Sequence, residues 1–231
     1  MSQQDKMALP QHFAPQTLTQ LGVAGVSLIA SISYMSTSFK KTGMNAFLGS
    51  VGRKLPAIKG FTPVKQTMVE MDLDLSCVVL DDNKKAVQTI WYGQLRNDDD
   101  SIIHVGDALM GAVDFEQSLH HQEEIHVRLP KLPSCACEML FFVSSFHEHK
   151  LCLAKKGIFR LNDNENTTIH KYSVAHLPKE ATAVLAWHLI KQGDDFLVKA
   201  PLLPVVVKNN TPKVFKQSLA EFAENMHKNN G

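Results

Sequence analysis

A mainly β sandwich carrying a C-terminal helix is the fold class that this sequence predicts, and three observations predict it. Between Thr67 and Lys199 short apolar runs alternate with clusters of turn-forming residues at close intervals. Alternation is clearest where Met71, Leu73, Leu75, Cys77 and Val79 fall on one strand face while Glu70, Asp72, Asp74 and Ser76 fall on the other. After Thr211 the period changes, and Val214, Phe215, Leu219, Phe222 and Met226 line one helical face behind an N-capping Thr211 and a first-turn Pro212.

The elements follow in order along the 231 residues. Residues 1–20 are rich in Gln and Pro without periodicity and read as a lead-in. Residues 7–39 contain no Lys, Arg, Asp or Glu, which raises the question of an export signal or membrane span. Val26, Leu28, Ala30, Ile32 and Tyr34 alternate there with Ser27, Ile29, Ser31 and Ser33, so the reading is an early strand rather than a span. No basic segment precedes the run, and a cytoplasmic protein without membrane attachment is expected. Lys40 to Pro63 mixes glycines with basic residues and reads as a basic connection holding a short helix near Met44 to Val51.

From Met71 the strand runs to an Asp81-Asp82-Asn83-Lys84 turn and returns over Ala86 to Leu95, a β-hairpin. Further strands are predicted over Ser101 to Val105, Ile125 to Leu129, Leu140 to Phe146, Ile158 to Leu161 and Thr168 to Val174. Ala181 to Ile190 is ambiguous by composition. The Gln192-Gly193-Asp194-Asp195 turn and the Phe196 to Lys199 run behind it favour a strand pair. The domain division is then an extension over 1–66 with an early strand and basic linker, a β domain over 67–205 and a helical tail over 206–231.

Charge and cysteine usage narrow the function. With 24 Lys plus Arg against 23 Asp plus Glu the chain lacks the basic excess that phosphate neutralisation requires, so nucleic acid is not an expected partner. Cys77, Cys135, Cys137 and Cys152 read as free thiols of a reducing compartment, since Cys135 and Cys137 are too close to staple a loop and lack a second metal-ligand pair. No Gly-x-Ser-x-Gly elbow, phosphate loop or Cys-His pairing is present, so no catalytic role is predicted.

The chemically pointed feature is Glu70-x-Asp72-x-Asp74. Alternate residues of a strand share a face roughly 6 to 7 Å apart, and three carboxylates crowded there match a hard divalent cation such as Ca²⁺ or Mg²⁺. A bare outer strand face of an antiparallel sheet accounts for the same pattern. His120, His121 and His126 together with His147 and His149 offer imidazoles for zinc, against the plainer reading of scattered solvent-facing histidines.

Four segments in register carry a resemblance: Asp72-Leu73-Asp74-Leu75-Ser76, Ile90-Trp91-Tyr92-Gly93-Gln94-Leu95, Ser101 to Asp107, and Leu129-Pro130-Lys131-Leu132-Pro133. In order and spacing they resemble the TerD family of tellurium-resistance and stress proteins, and Phe141-Phe142-Val143, Phe159-Arg160-Leu161 and Thr182 to Leu189 extend the likeness over roughly Thr67 to Ala200. The resemblance implies a TerD-like β-sandwich with short helices, a non-enzymatic stress-response role in a tellurite-resistance context, Ca²⁺ held by acidic residues, and protein partners such as other TerD-like or stress proteins.

Residue by residue, Asp72 and Asp74 match the family's Asp-rich strand, with Glu70 in place of its first Asp, and Asp107 matches the Asp of its Gly-Asp-Asn loop. Of the loop that follows, Gly111, Asp114 and Glu123 are retained. The implied ligand set is therefore Glu70, Asp72, Asp74, Asp107, Asp114 and Glu123. Ala108, Leu109, Met110 and Val113 stand where the family carries further oxygens and glycines, which implies weaker calcium affinity than the full loop gives. The same apolar residues fit the alternative, a calcium-independent scaffold or adaptor acting through the extension and the C-terminal helix.

Overall fold

Antiparallel pairing accounts for almost all of the architecture in the computed structural model, which describes residues 13–23, 26–40, 68–106, 111–112, 122–165, 167–208 and 211–227. In chain order the strands are β1 (Gln16–Thr17), β2 (Ser27–Met35), β3 (Ser38–Lys40), β4 (Met68–Glu70), β5 (Leu73–Leu80), β6 (Ala86–Ile90) and β7 (Ile102–His104). They continue as β8 (Glu123–Arg128), β9 (Glu138–Ser145), β10 (Lys155–Asp163), β11 (Thr168–Ser173), β12 (Ala183–Gln192), β13 (Asp195–Lys199) and β14 (Leu203–Pro204). One sheet has seven strands in the order β1-β13-β12-β9-β5-β6 with β14 beside β12, and a second has five in the order β11-β10-β2-β8-β7. β3 and β4 form a separate pair.

Side-chain alternation fuses the two large sheets. Leu73, Leu75, Cys77 and Val79 of β5, with Phe141 and Val143 of β9, meet Leu28, Ala30, Ile32 and Tyr34 of β2, Ile125 and Val127 of β8 and Phe159 and Leu161 of β10 in one apolar core. The early strand read from residues 26–34 is thus the middle of the five-stranded sheet, between β8 and β10. The proposed short helix at Met44 to Val51 lies outside the described residues.

The opposite face of β5 is covered as well. Phe215, Leu219 and Ala223 of the C-terminal helix (Pro212–Asn225) pack on Val78, Leu80, Leu140, Phe142 and Leu185. Every residue of β5 is buried, so the bare outer strand face, one of the two readings of its carboxylate pattern, does not hold. Burying Phe215 and Leu219 contributes about 1.5–3 kcal/mol each, and that anchors a helix of a length that is marginal in isolation. The Thr211 hydroxyl accepts the Val214 amide at 3.3 Å, the predicted N-cap.

Two turns differ in outcome. Gly193, at φ +62°, closes the β12–β13 hairpin as the sequence indicated. The return strand, predicted to reach Leu95, stops at Ile90. Trp91 and Gln94 exchange backbone hydrogen bonds of 3.1 and 2.8 Å across a tight turn in which the Trp91 ring lies over Gly93, 2.4 Å from where a Cβ would sit. That early stop leaves half of β5 without a strand on its β6 side.

Candidate functional site: an acidic cluster at an open strand edge

β6 pairs with β5 only from Cys77 to Leu80, whereas β9 runs beside all of it. The inner edge groups of Met71 to Leu75 need other partners, because buried backbone donors and acceptors are costly to leave unmade. Side chains of the five-stranded sheet supply them. The Leu73 amide donates to the Tyr34 hydroxyl at 3.1 Å, and that hydroxyl donates to the Met71 carbonyl at 3.4 Å. The Leu75 amide donates to Glu123 Oε2 at 2.6 Å. His104 directs Nε2 to the Leu75 carbonyl oxygen at 3.1 Å, with Glu123 Oε2 3.4 Å away.

Acidic groups concentrate here. Asp72, Asp74 and Glu123 are only 6 %, 2 % and 1 % exposed. The Tyr34 hydroxyl titrates far above its ordinary range, first because it is buried and then because the charges of Asp72, Glu123 and Asp74 all disfavour a phenolate, while the Leu73 amide pulls the other way. The donors are hard oxygens, the set that suits Ca²⁺ or Mg²⁺ and fits thiophilic metals poorly.

The loop that resembles a ligand loop in sequence borders this place. The Ala112 amide donates to the Tyr34 carbonyl at 2.8 Å and the Ser36 amide to the Ala112 carbonyl at 2.7 Å. A Cβ on Gly111 would lie 2.6 Å from Tyr34 Cδ2 and 2.7 Å from backbone atoms of Met35 and Ser36, so the retained glycine permits a close backbone approach to β2. Asp107 and Asp114 lie outside the described residues.

Of the six carboxylates singled out from sequence, Asp72, Asp74 and Glu123 come within electrostatic reach of the Tyr34 hydroxyl, and Glu123 is bonded to the edge of β5. Glu70 is not on their strand, because β4 ends at Glu70 and β5 starts at Leu73. Its carboxylate accepts the Ser36 hydroxyl at 2.6 Å and the Ser38 hydroxyl, which together hold it below the usual carboxylate range. The zinc reading of the histidines also separates. His126 faces Glu124 at 2.5 Å, His147 and His149 sit in a turn with ring centroids 6.0 Å apart, and His120 and His121 lie outside the described residues. Sequence reasoning missed Tyr34 and His104 as members of the site. Both occupy core-facing positions among apolar neighbours, where a polar ring is the signal that was available.

Comparison with known proteins gives the family. The TerD domain family matches residues 35–201. The tellurium resistance protein TerZ of Serratia marcescens is 29 % identical over 104 residues, 45 % of this chain and 51 % of TerZ, so the chain spans about half the length of that curated relative. Among solved structures, SAV2460, described as a protein of unknown function, superposes with a TM-score of 0.58 at 12 % identity over 85 % of this chain and 98 % of that one. SCO6318 from Streptomyces coelicolor A3(2), described as a homologue of the telluride resistance protein TerD, superposes with a TM-score of 0.57 at 11 % identity over 86 % and 97 %. At such identities the superpositions show a common fold, while the family match spans well over half of the sequence and includes Asp72, Asp74 and Glu123. The chain belongs to the TerD family.

Proposed function

We propose that this chain is a non-enzymatic calcium-binding module acting in a tellurium-resistance and stress-response context, with Asp72, Asp74 and Glu123 as the ligands around which the ion sits. The observation that carries the reading is the burial of these three carboxylates at the open edge of β5. Like charges in a poorly solvated place raise the free energy of the fold, and a divalent cation reverses the sign of that contribution. Asp107 and Asp114, which lie between β7 and β8 in the sequence, complete the proposed set. Glu70 would have to release two serine hydroxyls to join it.

An ion held there ties β5 of one sheet to β8 of the other, so the consequence is a stiffened surface for a protein partner, another TerD-like protein being the reading we favour. A cytoplasmic location belongs to the same reading; no helix among the described residues is long and apolar enough to cross a membrane. The calcium-independent adaptor keeps one observation in its favour, the apolar residues Ala108, Leu109, Met110 and Val113 in the loop. Of its two named surfaces, the C-terminal helix has its apolar face packed on its own sheet, and most of the extension lies outside the described residues.

Isothermal titration of the chelator-treated chain with Ca²⁺ and then Mg²⁺ tests the proposal. Saturable calcium binding that the Glu123→Gln variant loses supports it. An absence of heat with either ion, together with thermal midpoints equal in EDTA and in calcium, overturns it in favour of the adaptor.

A further inference from the structure

A second polar cluster lies at the far end of β5 from the acidic edge. Leu80 pairs there with Glu138 of β9, whereas Leu73 pairs with Ser145. Glu138 is 1 % exposed. His188 of the neighbouring strand β12 shares its face, since Leu140 pairs with His188 and Glu138 with Ile190. His227 arrives from just beyond the C-terminal helix. Both imidazoles aim Nε2 at the same atom, Glu138 Oε2, at 2.6 Å from His188 and 2.9 Å from His227. Lys84, from the β5–β6 turn, takes the other oxygen, Oε1, at 2.6 Å.

We propose that Glu138, His188 and His227 form a transition-metal site, with Zn²⁺ the best-matched ion, that clamps the C-terminal helix to the seven-stranded sheet. The donor set is two imidazole nitrogens and one carboxylate oxygen, the combination of three-protein-ligand zinc sites that leave a fourth position for water. The three ligand atoms lie within 4.8 Å of one another. Around a tetrahedral ion with bonds of about 2.0–2.1 Å, ligand atoms are about 3.3 Å apart, so the cluster opens by a few tenths of an ångström to admit one. A shift of each ring proton to Nδ1 converts two donors aimed at one point into two lone pairs aimed at it.

Placement favours a cation further. The carbonyls of the last helical turn carry partial negative charge, and His227 follows them directly. The His227 side chain is 28 % exposed, which gives an ion a route in and water access to the fourth position. Lys84 opposes binding, but its side chain is 40 % exposed and leaves Oε2 to the ion.

The test titrates the EDTA-treated full chain with Co²⁺ in millimolar Ca²⁺, so that the oxygen site on β5 is occupied or irrelevant and failure of the calcium reading leaves this result interpretable. One equivalent should give the visible ligand-field bands of low-coordinate Co²⁺, and Zn²⁺ should bleach them and raise the thermal midpoint. His227→Ala, at a partly exposed position with folding verified by circular dichroism, should weaken affinity by more than the roughly 10–100-fold of an outer-shell change. Lys84→Met should tighten it. Absence of the bands, unchanged affinity in His227→Ala, or loss of the signal on replacing Cys135, Cys137 and Cys152 by serine each overturns the proposal.

Discussion

Replacing Asp74 by Asn separates a carboxylate cluster that needs an ion from one that is content without it. Alternate residues of extended chain lie about 6–7 Å apart, and at an effective dielectric constant of about 20 two unit charges at that distance repel by about 2.5 kcal/mol. Asp72 and Asp74 are both buried, and Glu123 adds repulsion of the same sign. In EDTA, Asp74→Asn should therefore be more stable than the native chain, by on the order of 1–2 kcal/mol after local relaxation. With free calcium a hundredfold above its dissociation constant the native chain gains about 2.7 kcal/mol, which for a chain of this size is a rise in midpoint of about 5–11 °C. The variant, lacking one ligand and one charge, should move by less than about 2 °C, so its advantage in EDTA should vanish or reverse in calcium. Thermal scans followed by far-ultraviolet circular dichroism read this directly. A variant less stable than the native chain in EDTA, or equal calcium shifts in both, would show that protein hydrogen bonds and not a cation stabilise the Asp74 charge, and the electrostatic reasoning would fail.

Three further outcomes follow from the packing. Burial holds His170 down to about 4 from 6.5, and its Nδ1 accepts the Trp187 indole N–H at 3.2 Å. The unfolded chain then binds a proton that the folded one refuses, so stability present above pH 6.5 should fall by up to about 1.4 kcal/mol per pH unit as pH drops toward about 4. Urea midpoints across that range should show the slope, and His170→Gln should flatten it. Leu219→Ala, at a fully buried position on the helix, should cost about 2–5 kcal/mol in urea unfolding. Gly111→Ala sets a Cβ 2.7 Å from the backbone of Met35 and Ser36, which cannot swing aside, and should lower stability by about 1–3 kcal/mol while weakening the calcium response; an unchanged thermal midpoint would contradict the close approach.

The strands were legible because period-two alternation survives where one side faces the core, as in Glu123–Arg128, while Glu138–Ser145, buried on both sides, showed instead as a continuous apolar run. The Thr211 cap, the Pro212 start and the buried face of the C-terminal helix were legible for the same kind of reason, being local and periodic. What alternation could not show is which faces a distant element covers. Glu70, Asp72 and Asp74 looked like one row on a single strand face, yet a break at Met71 and Asp72 moves Glu70 onto the β3–β4 pair, and the two aspartates are buried. Glu123 could be brought to them only by the resemblance, since its partner Leu75 is 48 residues away and no local rule links the two. The grouping of Glu138, His188 and His227 was out of reach for that reason as well: strand register sets two of its members and the docking of the tail sets the third.

The outer face of the seven-stranded sheet divides along β5, and the helix starts at the border and runs away from the aspartates. Val78 and Leu80 lie beneath the helix with Leu140 and Phe142, whereas Asp74 and Ser76, on the same face by parity, stand opposite Ser144 and Phe142 in the register with β9. Tyr92 marks the border, with its ring centroid 5.5 Å from Phe215 of the helix and 5.7 Å from Phe146. The Phe146 amide in turn donates to the Asp72 carbonyl at 3.0 Å. An apolar helix extended across that border would desolvate the aspartates further with no charge to offer them, which costs more than the added contact contributes. The early end of β6 at Trp91 serves both halves: it supplies aromatic rings for the helix to pack on and withdraws the strand that would otherwise have closed the edge at which Tyr34, His104 and Glu123 meet β5.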